Sequence, residues 1–235
     1  MPIVKISWYG WFPGKHRAKV LYIIMFDISL YNEFVYLHIS IIHKKGIPMT
    51  IQKFIFKIVV GGAGAVGKTT LLHLYLHNVF LPSSTMTIGI AFHSKEIVTD
   101  DSNVKLAIWD LGGQERFRFM QPSYCQGAKA GIVFFDMSRF DTISQVKDWV
   151  DMFRINAHPG IPIILGGTKL DLLPPDLIET VNDRAQEIAE KLGLAGYFPT
   201  SSKTNINVDE LFATLLESIL ERVKHENFVT IASHA

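Results

Sequence analysis

Cysteine is almost absent from this chain of 235 residues: Cys125 stands alone. An internal disulfide framework is thereby excluded, and the usage fits a reducing compartment, with a cytoplasmic location expected. An excess of charge is also lacking. Twenty-three basic side chains face 22 acidic ones, a formal net charge of +1, so no nucleic-acid partner is expected. Charged residues are sparse at 19%, whereas 48% of residues are hydrophobic. Intrinsic disorder needs the opposite balance and is excluded as the main state. There is no internal repeat and no low-complexity tract. A clean membrane-spanning run is missing too. Residues 20–42 have the length, but Asp27, Asn32, Glu33 and His38 interrupt them, and a carboxylate at mid-bilayer costs at least ~2.5 kcal/mol.

What charge there is lies unevenly. Residues 1–48 carry six basic and two acidic side chains, a net of +4 against +1 overall, which leaves −3 for the rest. Aromatics crowd the same segment, from Trp8 to Tyr36. This composition break divides the chain into an N-terminal extension (1–48), a domain (49–228) and a short tail (229–235). Two readings of the extension stand side by side. Translation begins at Met49, or the segment lies near a membrane, where basic residues interleaved with Trp and Phe suit headgroups. A signal peptide is disfavoured because no small-residue cleavage site follows the apolar stretch.

From Met49 strands and helices alternate. KFIFKIVV (53–60) is a β-branched and aromatic run that ends in glycines. Residues 68–79 place Leu71, Leu72, Tyr75 and Val79 at helical spacing. Residues 90–98 and 104–109 read as strands joined by a turn near 99–103. GIVFFD (131–136) and IPIILG (161–166) are continuous apolar runs, as expected of strands buried on both faces. Helices are predicted over 142–156, 176–192 and 208–224, the last opened by Asn207 and Glu210 in a capping-box pattern. A short strand near 196–199 completes the series. The fold class is α/β: a mostly parallel six-stranded sheet with helices on both faces.

Residues 62–69 read G-A-G-A-V-G-K-T and satisfy G-x-x-x-x-G-K-[ST] at every fixed position. The motif follows a predicted strand and opens a predicted helix, as a P-loop requires. Glycines let successive amides turn toward a phosphate, and the helix N-terminus adds a favourable dipole. Lys68 supplies a point charge to the β- and γ-phosphates, and Thr69 a hydroxyl to Mg²⁺. Farther on, W-D-L-G-G-Q-E (109–115) follows a strand. Asp110 can hold a Mg²⁺ water, Gly112 and Gly113 allow the backbone close to a γ-phosphate, and Gln114 can orient an attacking water. Thr87 lies in a Ser-, Thr- and Pro-rich loop, and its hydroxyl could reach Mg²⁺ only while the γ-phosphate is present.

With these motifs in order, the chain from Met49 onward resembles a small GTPase of the Ras superfamily, within its Rab-like branch. The matching segments are GGAGAVGKTT (61–70), TIGIAF (87–92), WDLGGQERF (109–117), TKLD (168–171) and TSSK (200–203). The resemblance implies a P-loop G domain that binds GTP or GDP with Mg²⁺. Phosphate contacts would come from Gly62, Gly64, Ala65, Val66, Gly67, Lys68, Thr69, Thr70 and the Gly113 amide. Thr69, Thr87 and Asp110 would serve the metal, and Gln114 would position water. Around the base would stand Phe80, Thr168, Lys169, Asp171, Ser201, Ser202 and Lys203. The Asp171 carboxylate accepts from two guanine donors, for which adenine has no match; that is the physical basis for GTP over ATP. Phe92, Trp109 and Tyr124 match the aromatic trio that Rab-like proteins show to effectors. Exchange and GTPase-activating factors are the other implied partners.

The pattern is broken in places. Thr168 stands where most relatives have Asn, which removes a side-chain amide from the base. Leu111–Gly112 replaces Thr-Ala, a double glycine similar to Arf-like proteins. Gly64 sits where a side chain would crowd the γ-phosphate. Loop 80–89 has no Arg, so intrinsic hydrolysis is expected to be slow, on the order of 10⁻⁴ to 10⁻² s⁻¹. The sequence ends without cysteine, Pro2 follows Met1 and Thr50 follows Met49; prenylation and N-myristoylation are not expected, and membrane contact would pass through a partner or residues 1–48. Two other readings stay open: a GTP-dependent binding module with negligible hydrolysis, and a P-loop ATPase or kinase. His73 with His77, Cys125, and the pair Trp149 and Phe153 read as structural residues.

Overall fold

The computed structural model describes the backbone of residues 22–23, 28–31, 34–42, 48–82, 87–98 and 102–232, and side chains between 53 and 225 within these. Of the described residues, those up to Phe56 with those between Lys95 and Leu106 form one compact unit; those between Lys57 and Ser94 with those from Ala107 onward form the other.

In the first unit β1 (Tyr22–Ile23) and β2 (Ile28–Tyr31) both pair antiparallel with β3 (Phe34–Ile42). β3 pairs antiparallel with the start of β4 (Pro48–Gly62), with Ile39 opposite Ile51. β4 thus passes through position 49 without a break. The two readings of residues 1–48 fall largely outside the described residues.

The order of the remaining strands is β5 (Ile90–Val98), β6 (Ser102–Leu111), β4, β7 (Ala130–Asp136), β8 (Ile163–Thr168), β9 (Gly196–Pro199); β7, β8 and β9 lie wholly in the second unit, whereas Lys95–Leu106 of β5 and β6 are counted with the first. These are the six expected strands. The pairs β4–β7, β7–β8 and β8–β9 are parallel, with Val60 opposite Ile132 and Val133 opposite Leu165. Every residue of β7 is buried, which explains the apolar run that precedes its closing Asp136.

Alternate residues of the central strands supply two cores. Val59, Val133, Phe135 and Leu165 pack with Trp149, Val150 and Phe153 of α3 (Val146–Asn156) and Ala185 and Ala189 of α4 (Ile178–Lys191). Gly61 makes room for α3: a Cβ there would lie 2.3 Å from the Trp149 ring. Toward the other face, Phe134 and Leu211 of α5 (Val208–Ala232) close over Gly166. Tyr75 of α1 (Lys68–His77) stacks on Phe212 with centroids 3.6 Å apart. Helices therefore cover both faces.

Element ends differ from expectation where local geometry intervenes. α1 stops at His77, two residues early, because Asn78 takes a left-handed conformation (φ 56°) and its amide bonds the Leu74 carbonyl. The helices expected at 142 and 176 open instead with 3₁₀ turns, Phe140–Gln145 and Pro175–Leu177. β8 starts at Ile163, not 161. α5 runs on past 224. Asn207 sits at φ 55° and donates its side-chain amide to the Pro199 carbonyl, tying the helix start to β9.

Candidate nucleotide site

The site is built at the C-terminal ends of the parallel strands. Between β4 and α1 the chain turns through Gly62 (φ 134°), Ala65 (φ 60°) and Gly67 (φ 94°). At Gly62 the turn is obligatory, since a Cβ would meet the Phe134 carbonyl at 2.2 Å. The carbonyls of this turn are all engaged. Lys68 Nζ donates to those of Gly62 (2.9 Å) and Ala63 (2.8 Å). Lys169 Nζ donates to that of Ala65 at 3.1 Å, Thr168 Oγ1 to that of Val66, and the Leu71 amide to that of Gly67. A trans peptide points its N–H opposite its C=O, so fixing the carbonyls fixes where the amides aim. Burial pushes the Lys68 ammonium down to about 8, against the opposing pull of Asp110. A polyphosphate would supply the missing countercharge.

Beside this loop three oxygen ligands converge. Thr69 Oγ1 lies 2.5 Å from Thr87 Oγ1 and donates to Asp110 Oδ2 at 2.6 Å; Thr87 Oγ1 donates to the same oxygen at 3.2 Å. Asp110 Oδ1 is buried without a hydrogen-bond partner. A buried carboxylate oxygen left over beside two hydroxyls is the donor set of a hard divalent cation. These residues fit Mg²⁺.

Loop 112–114 presses against both features. The Gly112 amide bonds the Gly89 carbonyl at 2.8 Å. A Cβ on Gly113 would lie 2.4 Å from the Gly62 carbonyl oxygen and 2.5 Å from Ala63, so only glycine allows this approach. Gly64 differs: a Cβ there would come no closer than 3.6 Å to Gly113. The protein itself has room for a side chain at 64. Gln114 follows, half-buried, ahead of the turn Glu115–Phe117.

Across the loop, Lys169 stands at φ 61°. Thr168 is buried, its hydroxyl shared between the carbonyls of Val66 and Phe135. It is thus spent on tying β8 to the phosphate loop. Asp171 Oδ1 accepts from Ser201 Oγ at 2.6 Å, which joins TKLD to TSSK. Ser201 is buried, Ser202 half-buried and Lys203 exposed. Thr70 and Phe80, on α1 and just beyond it, are half-buried.

One part of the site escaped the sequence reading. Asp136, at the end of β7, is fully buried. It accepts from Lys169 Nζ (2.7 Å), Ser138 Oγ (2.6 Å) and Arg139 Nε (3.0 Å). Burial alone would raise its pKa; these partners outweigh that and hold it below the usual carboxylate range. The available signal was a carboxylate closing an otherwise apolar strand.

A model of the Ras family matches residues 57–221. The chain belongs to the Ras family. It is 37% identical over 175 residues to "Ras-related protein Rab-2B" of Dictyostelium discoideum, covering 74% of this chain and 85% of the relative. It is 39% identical over 166 residues to "Ras-related protein Rab-5A" of the same organism (71% and 81%). With "Ras-related protein RABA4a" of Arabidopsis thaliana the identity is 36% over 182 residues (77% and 79%). The protein is a Rab-like Ras-family GTPase, a GTP-binding switch that hydrolyses GTP. ATPase or kinase chemistry and a purely binding role are thereby set aside.

Outside the nucleotide site, this GTPase carries an aromatic ladder. Trp109 meets Phe92 edge-on at 5.2 Å and Tyr124 at 5.4 Å, with Lys57 Nζ 5.0 Å from its ring centroid. Phe92 is 56% exposed. His73 bonds the Val79 carbonyl, and no group of three His, Cys, Asp or Glu among the described residues could hold a metal. No described helix is long and apolar enough to cross a membrane.

Proposed function

We propose that this GTPase is a Rab-like switch of membrane traffic, with loops 80–90 and 111–122 ordered by GTP and Mg²⁺ and released on hydrolysis. The observation that carries the reading is the meeting of Thr69, Thr87 and Asp110 beside Gly113 and the phosphate loop. Thr87 and Gly113 come from the two loops, so a γ-phosphate and its Mg²⁺ would give both something to hold. Lys68 and the amides of residues 64–69 bind the phosphates. Mg²⁺, when bound, neutralises charge developing on the β- and γ-oxygens. The Gly113 amide faces the γ-phosphate, and Gln114 orients the water that displaces GDP from phosphorus. Asp171, steadied by Ser201, selects guanine, with Lys169, Lys203, Ser202 and Phe80 around the ring. The ladder of Phe92, Trp109 and Tyr124 receives effectors, and exchange and activating factors act on the same loops. The setting is the cytoplasmic face of membranes.

Single-turnover hydrolysis of the intact protein and of Gln114→Leu tests the reading. The variant is expected to bind GTP normally and to hydrolyse it at least about tenfold more slowly. Equal rates would remove Gln114 from the mechanism.

A further inference from the structure

Arg139 is assigned no part in the account so far, yet it reaches the phosphate loop. Its Nε donates to Asp136 Oδ2 at 3.0 Å, while Nη2 donates to the carbonyls of Ala65 (3.2 Å) and Gly64 (3.4 Å). One planar guanidinium thus joins the buried carboxylate at the end of β7 to two successive peptides of the turn. Lys169 makes the same connection in parallel, from Asp136 to Ala65. The Gly64 and Ala65 carbonyls belong to the peptide units whose N–H groups are those of Ala65 and Val66. A cation on the carbonyl side both orients each unit and polarises its N–H. Ala65 holds a left-handed conformation without being glycine, a state that costs energy and needs support from its surroundings.

We propose that Arg139 is a positioning residue for nucleotide binding: braced on Asp136, it fixes the Gly64 and Ala65 carbonyls so that the Ala65 and Val66 amides face the phosphates. The inference rests on the phosphate-loop reading above. Its role is to slow nucleotide release, for GDP and GTP alike, because the peptides it holds are set before the γ-phosphate matters.

The geometry gives a discriminating substitution. Arginine serves the two partners from separate nitrogens, Nε on Asp136 and Nη2 on the loop; a single ammonium can bridge the same partners, as Lys169 does, so lysine is the substitution expected to rescue and alanine the one expected to fail. In Arg139→Ala, Asp136 keeps Lys169 and Ser138 as partners, so the fold is expected to survive. The experiment loads the full-length protein with a fluorescent GDP analogue and follows its release into excess GDP, with and without Mg²⁺. Arg139→Ala is expected to release nucleotide about five- to tenfold faster, the modest end for a charge-assisted bond because the guanidinium is half-exposed. Arg139→Lys should keep the melting temperature of the unchanged protein and release more slowly than Arg139→Ala, since one ammonium can bridge Asp136 and the loop as Lys169 does. If Arg139→Ala lowers the melting temperature without speeding release, Arg139 only neutralises Asp136 and the inference is overturned. Unchanged release in both variants overturns it too. Failure of the unchanged protein to bind the analogue would instead overturn the site reading itself.

Discussion

Asp136 shows how much a single buried charge can organise. Its folded pKa lies below its ordinary value, so the native state binds fewer protons than the unfolded chain. The stability it contributes is present above about pH 3.8, the ordinary value, and is lost as pH falls through the folded value. Asp136→Asn is therefore predicted to flatten the acid limb of a melting-temperature profile. At neutral pH it should cost about 2 kcal/mol, since it strips two partly exposed cations of their partner. An acid limb as steep as before would contradict this. Cys125 gives a second prediction. Its thiol is fully buried, donates to the Gln121 carbonyl and is pushed up to about 11 by burial. It should resist thiol reagents at pH 8 until the protein unfolds; fast labelling of the native state would contradict that. At this scale the phosphate loop could be read from sequence because its spacing fixes its chemistry. Asp136 and Arg139 could not, because their meaning depends on Lys169 and Ala65, which only the fold brings near. Thr168 shows the converse: as a departure from the family pattern it raised a question about the base, and its hydroxyl turns out to hold the loop.

Among elements, the seam between α1 and α5 positions the site. α1 carries Lys68 and Thr69 at its start, and Tyr75, two turns on, lies flat on Phe212. Phe212 is 1% exposed. Phe212→Ala should cost on the order of 3 kcal/mol in urea unfolding with the denaturant slope unchanged. A cost under about 1 kcal/mol would mean that the seam repacks freely. Existence and type of the six strands and main helices followed from periodicity: β7 and β8 are apolar up to their last residues, Asp136 and Thr168, and α3 and α4 present one apolar face. Their ends did not follow so well. The 3₁₀ turns before α3 and α4 form where Thr142 bonds back to Arg139 and where Pro175 opens a turn, and neither changes the apolar spacing on which the reading rests. Nor could β3 be expected to pair with β4, because antiparallel partners across a sheet leave no local mark on either strand.

Over the whole molecule, every residue of the nucleotide site falls in the unit formed by Lys57–Ser94 and the chain from Ala107 onward. A chain beginning at Met49 keeps all of them and is predicted to bind GDP as the full chain does; loss of binding would show that residues 1–48 are needed for the site. Family membership was readable early because five separated motifs must agree at once, a stronger constraint than any fold-level pattern. The most direct measurement is to identify the nucleotide that co-purifies with the full-length protein, then to titrate GTP and ATP in the presence of Mg²⁺. Bound GDP or GTP is predicted, with guanine preferred over adenine by at least about a hundredfold, as a donor–acceptor mismatch at Asp171 implies. Equal or tighter binding of ATP would contradict the reading of Asp171 and of the switch with it.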